Sequence, residues 1–209
     1  MIKQSTTASV MEFTSFRKKE DITEEALIAA VLDFESSFLS KQEGLVLDCL
    51  VKGNSGKYAN VMFAKDMASL KQIEQQAHSD KAAQHFFELL DIDSVDMAFQ
   101  AILKEAFETP DHFSCVEYGT FSLNNSGDTD SLIKASEDIE DQYLDRFDNT
   151  KAHFMGKVEE GRYSEVTLGR TLGKTKQICE GYRQEHICQP LLNMIDTQSM
   201  ELSFWYLIA

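Results

Sequence analysis

Four residues in the second half of this chain carry the groups with which an active site could be built: Glu117, His153, Glu165 and Trp205. A carboxylate beside a histidine raises the imidazole pKa and orients the ring, the arrangement used for general-base work. His153 is therefore the candidate base, with Glu117 or Glu165 orienting it. The Trp205 indole could stack on a planar ligand. One histidine with two carboxylates is also a donor set for a divalent ion, but no metal is assigned. The plainer alternative is that these are rim or hydrogen-bonded structural residues.

These residues must be positioned by strands, because their surroundings alternate with period two. Val10 to Lys18 and Cys115 to Leu123 alternate in this way. One alternating set is apolar: Met11 and Phe13; Leu47, Cys49 and Val51; Ala59, Val61 and Phe63; Met97 and Phe99. This face is expected to pack under helices. The other set is polar for a buried position: Glu12, Thr14, Phe16, Asp48, Asn60, Met62 and Gln100, then Glu117, Phe121, His153, Met155, Glu165, Thr167 and Trp205. Such a lining needs an internal network or a pocket, because buried polar groups must be paired or solvated. From it, Trp205, Phe121, Met155, Glu12, Asp48, Asn60 and Gln100 are the candidate substrate contacts.

The two halves repeat at an offset of 105. Gly56, Lys57 and Tyr58 fall on Gly161, Arg162 and Tyr163; Lys71, Gln72 and Ile73 fall on Lys176, Gln177 and Ile178; Glu12 and Phe16 fall on Glu117 and Phe121. A period this long is a duplicated domain and not a solenoid. The expected division is 1–104 and 115–209, joined by a linker at 105–114 that carries Pro110. In each copy the first strand leads to a helix. The first helix is capped by Thr23, striped by Leu27, Val31, Phe34 and Phe38, and stopped by Gly44. A hairpin follows, with turns at Gly53 to Gly56 and Glu159 to Gly161. Asp66 and Thr171 then cap a second helical segment, interrupted by Pro190 in the second copy only, and a last strand closes the unit.

The order β-α-β-β-α-β is the ferredoxin-like unit, antiparallel strands with both helices on one face. The fold class is α+β: two such repeats whose antiparallel sheets form one intrachain α/β barrel. On this unit length, topology and Gly-x-Tyr strand, the chain resembles the dimeric α/β-barrel superfamily, with its antibiotic-biosynthesis-monooxygenase-like members. The resemblance implies a small-molecule-binding barrel, a cofactor-independent monooxygenase or isomerase acting on a planar organic substrate. A non-enzymatic structural or ligand-sensing barrel is the alternative, and a haem-binding barrel a further one, since some relatives carry haem on a histidine. The Glu-x-Trp strand end of many monooxygenase-like members is replaced here by Met62 and Ala64, and by Thr167 and Gly169.

Composition narrows the rest. With 209 residues, a charge of -15 and 43% hydrophobic residues, the chain is long enough for a real core and too acidic for bulk binding to phosphate backbones. No nucleic-acid partner, no membrane partner and no cofactor are expected; the location expected is the cytoplasm. A small-molecule ligand is the expected partner, and no homodimer is needed to complete the barrel. Cys49, Cys115, Cys179 and Cys188 show no paired spacing and read as free thiols. Gly169 to Thr175 is one residue short of a phosphate loop. Asn124 to Asp130 and Asp91 to Asp96 lack a calcium loop's spacing, and the acidic run Glu137 to Asp141 reads as a solvated helix face. Residues 1–104 carry -5 and the rest -10, so a single site is expected in the second copy.

Overall fold

A computed structural model describes residues 1–124 and 128–209. The chain divides into two compact units. Unit 1 comprises Met1–Ala101, Ala106–Thr109 and Leu207–Ala209; unit 2 comprises Ile102–Glu105 and Pro110–Tyr206.

In unit 1 the elements run β1 (Ile2–Lys3), β2 (Val10–Lys18), α1 (Glu24–Ser37), β3 (Leu45–Gly53), β4 (Tyr58–Ala64), α2 (Met67–Ala77), α3 (Lys81–Glu88) and β5 (Leu90–Ile102). The strands pair antiparallel in the order β1-β3-β4-β2-β5. In unit 2 they run β6 (Cys115–Ser122), α4 (Thr129–Gln142), β7 (Thr150–Glu159), β8 (Arg162–Gly169), α5 (Leu172–Gly181), α6 (Gln189–Met194) and β9 (Glu201–Leu207). Here the antiparallel order is β7-β8-β6-β9. The register recurs 105 residues on: Glu12 lies opposite Met62 and Phe99, and Glu117 opposite Thr167 and Phe204.

Local chemistry explains the elements. Thr23 Oγ1 accepts from the Ala26 amide at 3.1 Å, and Glu24 and Glu25 face the positive end of α1. Both hairpins turn on a glycine in the left-handed region, Gly56 at φ 74° and Gly161 at φ 75°. Thr171 starts α5 without a side-chain cap of its own; Asn149 Oδ1 instead accepts from its amide at 3.0 Å and its hydroxyl at 2.8 Å.

Several expectations change. Helix α1 ends at Ser37 and a 3-10 turn (Leu39–Lys41) follows, so Gly44 does not stop it. Gly44 is instead needed for close approach: a Cβ there would lie 2.3 Å from that of Ser69. The second helical segment breaks in both copies, since Asp80 accepts from the amides of Ala82 and Ala83 and starts α3.

The faces of the sheet are also reversed. The unit 1 core under the helices joins Leu27, Val31 and Phe34 of α1, Leu70 and Ile73 of α2, and Phe86 of α3 to Phe16, Leu50, Tyr58 and Met62. Those strand residues belong with the polar set. From the apolar set, Met11, Cys49, Val61 and Phe63 are fully buried on the opposite face. Both faces are buried, so polarity could not say which one the helices cover.

Candidate active site

In unit 2 the helix-side face of the sheet presents Glu117, Gly119 and Phe121 from β6, His153 and Met155 from β7, and Glu165 from β8. The register places Gly119 opposite Glu165, Glu165 opposite Met155, and His153 opposite Thr167. Three of the sequence candidates therefore do converge: Glu117, His153 and Glu165. Phe121 and Met155 join them, packed in the core beneath α4 and α5 with Leu132, Ile139 and Ile178.

His153 is 2% exposed and both its ring nitrogens are taken. Nδ1 lies 3.1 Å from Glu140 Oε1 and Nε2 lies 2.9 Å from Glu165 Oε1. An ionised carboxylate only accepts, so two of them require a ring that donates from both nitrogens, the imidazolium. Burial opposes that charge, but the hydrogen bonds and charges of Glu140 and Glu165 outweigh it and lift the His153 pKa to about 9. The ring is thus a held cation and has no free nitrogen with which to act as the base proposed from sequence.

The network runs in both directions. Glu140 also pairs with Lys104 at the surface. Glu165 Oε1 accepts a second bond from Tyr182 OH at 3.0 Å. Beside them Glu117, 6% exposed, accepts from the Cys179 thiol. Burial first, then the charge of Glu165, pushes Glu117 up to about 7, against the Cys179 bond and the cationic His153. Burial and the neighbouring Glu117 raise the Cys179 thiol, so it is a neutral donor.

This floor opens on a cavity of about 520 Å³ within unit 2. Glu117, Glu165, Cys179 and Tyr182 lie at its polar end. Phe121, Leu192, Ile195, Leu202 and Phe204 supply apolar wall, and Lys176 and Arg183 supply cationic groups. Lys176 also sits 5.3 Å from the Phe204 ring centre.

The remaining candidates lie elsewhere. Trp205 pairs with Val116, so it points to the face opposite Glu117, where its indole donates to Ser203 Oγ at 2.8 Å. Phe204 takes its expected place. The same swap moves Gln100, which pairs with Met11 and donates to its sulfur at 3.1 Å. Glu12, Asp48 and Asn60 share the helix-side face in unit 1. Thr14 donates to Glu12 at 2.5 Å and Asn60 Nδ2 to Asp48 at 2.6 Å.

Among the described residues no group of three His, Cys, Asp or Glu side chains is arranged to hold a metal ion. Gly169, from the loop resembling a phosphate cradle, is instead closed off: a Cβ there would lie 2.1 Å from Thr175 Oγ1. The segment Asn124 to Asp130 lies partly outside the described residues. The four cysteines are free.

Sequence reasoning missed Glu140, Cys179, Tyr182 and Gly119. Glu140 sits in the acidic run read as solvated, yet it stands one turn after the buried Ser136 on α4 and meets His153. The repeat offered a signal for the others: position 182 matches Ala77, 179 matches Glu74 and 119 matches Thr14.

No family model and no curated protein matches the sequence. Solved structures do match, over nearly all of both chains. A protein from Fusobacterium nucleatum, named provisionally as a monooxygenase, is 9% identical with a TM-score of 0.65, covering 97% of this chain and 94% of that one. A haem-binding protein from Thermus thermophilus is 10% identical with a TM-score of 0.64, covering 100% and 95%. An anthrone oxidase-like protein is 11% identical with a TM-score of 0.60, covering 97% and 92%. Identities this low carry the fold alone. The chain has the fold of the dimeric α/β barrel, with both ferredoxin-like βαββαβ units in one polypeptide.

Proposed function

We propose that unit 2 binds a planar organic molecule and moves a proton on it, as a cofactor-independent isomerase or the first step of a monooxygenase would. The observation that carries this reading is a buried carboxyl, Glu117, that titrates at about 7 on the floor of a 520 Å³ cavity. A general base works best with a pKa near the working pH, and perturbed carboxyls in clefts mark functional sites. Glu117 takes the proton from a ligand C–H or O–H and becomes the neutral acid. An isomerase returns that proton to a second atom of the ligand; in a monooxygenase the ligand carbanion forms a C–O bond to dioxygen, and the protonated hydroperoxide breaks its O–O bond and loses water, leaving one oxygen atom on the ligand as a carbonyl.

The other residues position. His153 orients Glu165 through a charge-assisted bond, and the Glu165 charge in turn keeps Glu117 above its ordinary range. Tyr182 fixes the same oxygen of Glu165. Phe121 and Phe204 flank the ring of the ligand.

Haem, which the Thermus thermophilus protein binds, finds no free histidine, tyrosine or cysteine among these residues. Nothing lining the cavity is a histidine. His153 has both nitrogens engaged, Tyr182 is bound to Glu165 and Cys179 to Glu117.

The test is a thermal-shift screen of planar aromatic compounds, followed by turnover assays on each hit under air and under nitrogen. Glu117→Gln should keep binding and lose turnover by at least 100-fold. Binding without turnover in the unsubstituted protein would turn the reading into ligand sensing. No hit at all would remove it. No helix among the described residues is long and apolar enough to cross a membrane; a cytoplasmic location is proposed with the enzyme.

A further inference from the structure

The two copies treat the first-strand carboxyl differently, and one residue makes the difference. In unit 1, Thr14 stands two residues after Glu12 on the same face and donates its hydroxyl to the carboxyl at 2.5 Å. In unit 2 the matching position is Gly119, which lines the cavity beside Glu117. The register is the same in both: Thr14 lies opposite Asn60, and Gly119 opposite Glu165. Among the described residues Glu117 keeps only the thiol of Cys179, a weak donor.

The glycine is not forced by the backbone. Its φ is not positive, and a Cβ built there meets Leu202 at 3.4 Å, Glu201 O at 3.6 Å and Glu165 O at 3.8 Å, ordinary contacts. A threonine would fit the strand and would also suit it better. What it would do is fill the cavity floor and give Glu117 the hydroxyl that Glu12 already has.

We propose that Gly119 is the specificity-determining residue of the cavity: it leaves room for a neutral hydroxyl of the ligand to take, on Glu117, the place that the Thr14 hydroxyl takes on Glu12. This rests on the reading that the unit 2 cavity binds a small molecule. It narrows that molecule to one with an apolar, ring-sized body and a hydroxyl donor at its buried end. The body lies against Phe121, Leu192 and Leu202, and the hydroxyl points to Glu117.

The probes are 2-naphthol and 2-methoxynaphthalene, which differ in that single donor, titrated by their own fluorescence into the full chain. Unsubstituted protein should bind the naphthol at least 10-fold more tightly than its methyl ether. Gly119→Thr should lose at least 10-fold of the naphthol affinity while melting no lower, because its own hydroxyl now occupies Glu117. Gly119→Ala, which adds volume without a donor, should lose less than 3-fold and keep the preference. Should Gly119→Thr not fold, Gly119→Ser carries the same donor and is expected to lower the Glu117 titration midpoint, read by carbon-13 NMR. An unmoved midpoint in the serine variant would overturn the proposal. So would a threonine variant that binds like the unsubstituted protein, or equal binding of the two probes; each leaves the cavity reading standing. If neither probe binds, the proposal is overturned, and if no compound of the aromatic screen binds either, so is the cavity reading.

Discussion

Units 1 and 2 are built in one register from one pattern, yet they handle buried polarity in opposite ways. Behind the helices of unit 1, Asp48 is fully buried, and burial, then the charge of Glu35, holds its carboxyl well above the ordinary range. Burial thus disfavours its carboxylate form, and it is bonded to a neutral amide, Asn60. Asp48 Oδ2 and Asn60 Oδ1 make no hydrogen bond among the described residues. At the matching positions unit 2 has His153 and Glu165, an ion pair extended by Glu140, Lys104 and Tyr182. Unit 1 packs its α3 aromatics into the same layer, with Phe86 stacked on Phe34 and edge-on to Phe16. Unit 2 has there a 3-10 turn (His186–Cys188) leading into α6, with no Phe, Tyr or Trp side chain in either, and a cavity. Neutral polar pairs tolerate close packing; a charged network needs many partners and tolerates an opening beside it.

The comparison breaks most visibly at position 153. His153→Ala leaves Glu140 and Glu165 buried without their shared cation. It should cost about 3–5 kcal/mol and lower the melting temperature by roughly 6–20 °C. Asp48→Asn puts an amide where burial already disfavours a carboxylate, and calorimetry should find a change of less than about 1 kcal/mol. Equal losses at the two sites would mean the units are not electrostatically different.

The pH dependence comes next. His153 is raised from 6.5 to about 9. Between those values the folded chain holds a proton that the unfolded chain has lost, so stability falls as pH rises. The contribution is full below pH 6.5, is lost through pH 9, and amounts to about 3 kcal/mol. Glu117, raised from 4.5 to about 7, acts with the same sign over pH 4.5 to 7. Melting curves from pH 6.5 to 9 should show this slope, and His153→Ala should flatten it.

Tyr182→Phe removes one bond to a charged oxygen and should cost about 1.5–3 kcal/mol, with a shifted Glu165 carboxylate resonance as its signature. Smallest of all are the helix caps. Asp66→Ala should cost unit 1 about 1 kcal/mol, whereas Thr171→Ala should cost less in unit 2, because Asn149 does the capping there. If the order of the two caps were reversed, the role given to Asn149 would be wrong.

The strands, the Thr23 cap and the glycine hairpins were legible, because each rests on local chemistry or on the repeat. Which face the helices cover was not. That depends on donors from distant segments: Glu140 from α4, Cys179 from α5, Tyr182 just beyond it. The last strands misled for a separate reason. Phe99 and Phe204 are apolar, but register pairs them with Glu12 and Glu117, so grouping like with like placed Gln100 and Trp205 on the wrong side. Glu117, His153 and Glu165 do share one face, since all three follow from period two along β6, β7 and β8.

Leu50 exchanges backbone hydrogen bonds with residues near the far end of the chain, donating to Ala209 O at 2.9 Å and accepting from the Ile208 amide at 2.9 Å. Residues 207–209 belong to unit 1 although all of unit 2 precedes them. During synthesis the first unit emerges early but cannot complete its hydrogen bonding until the second has been made. Contacts of such long sequence separation form slowly. Unit 1 therefore waits with part of β3 unsatisfied, the stage at which a nascent chain of this kind depends most on protection from aggregation.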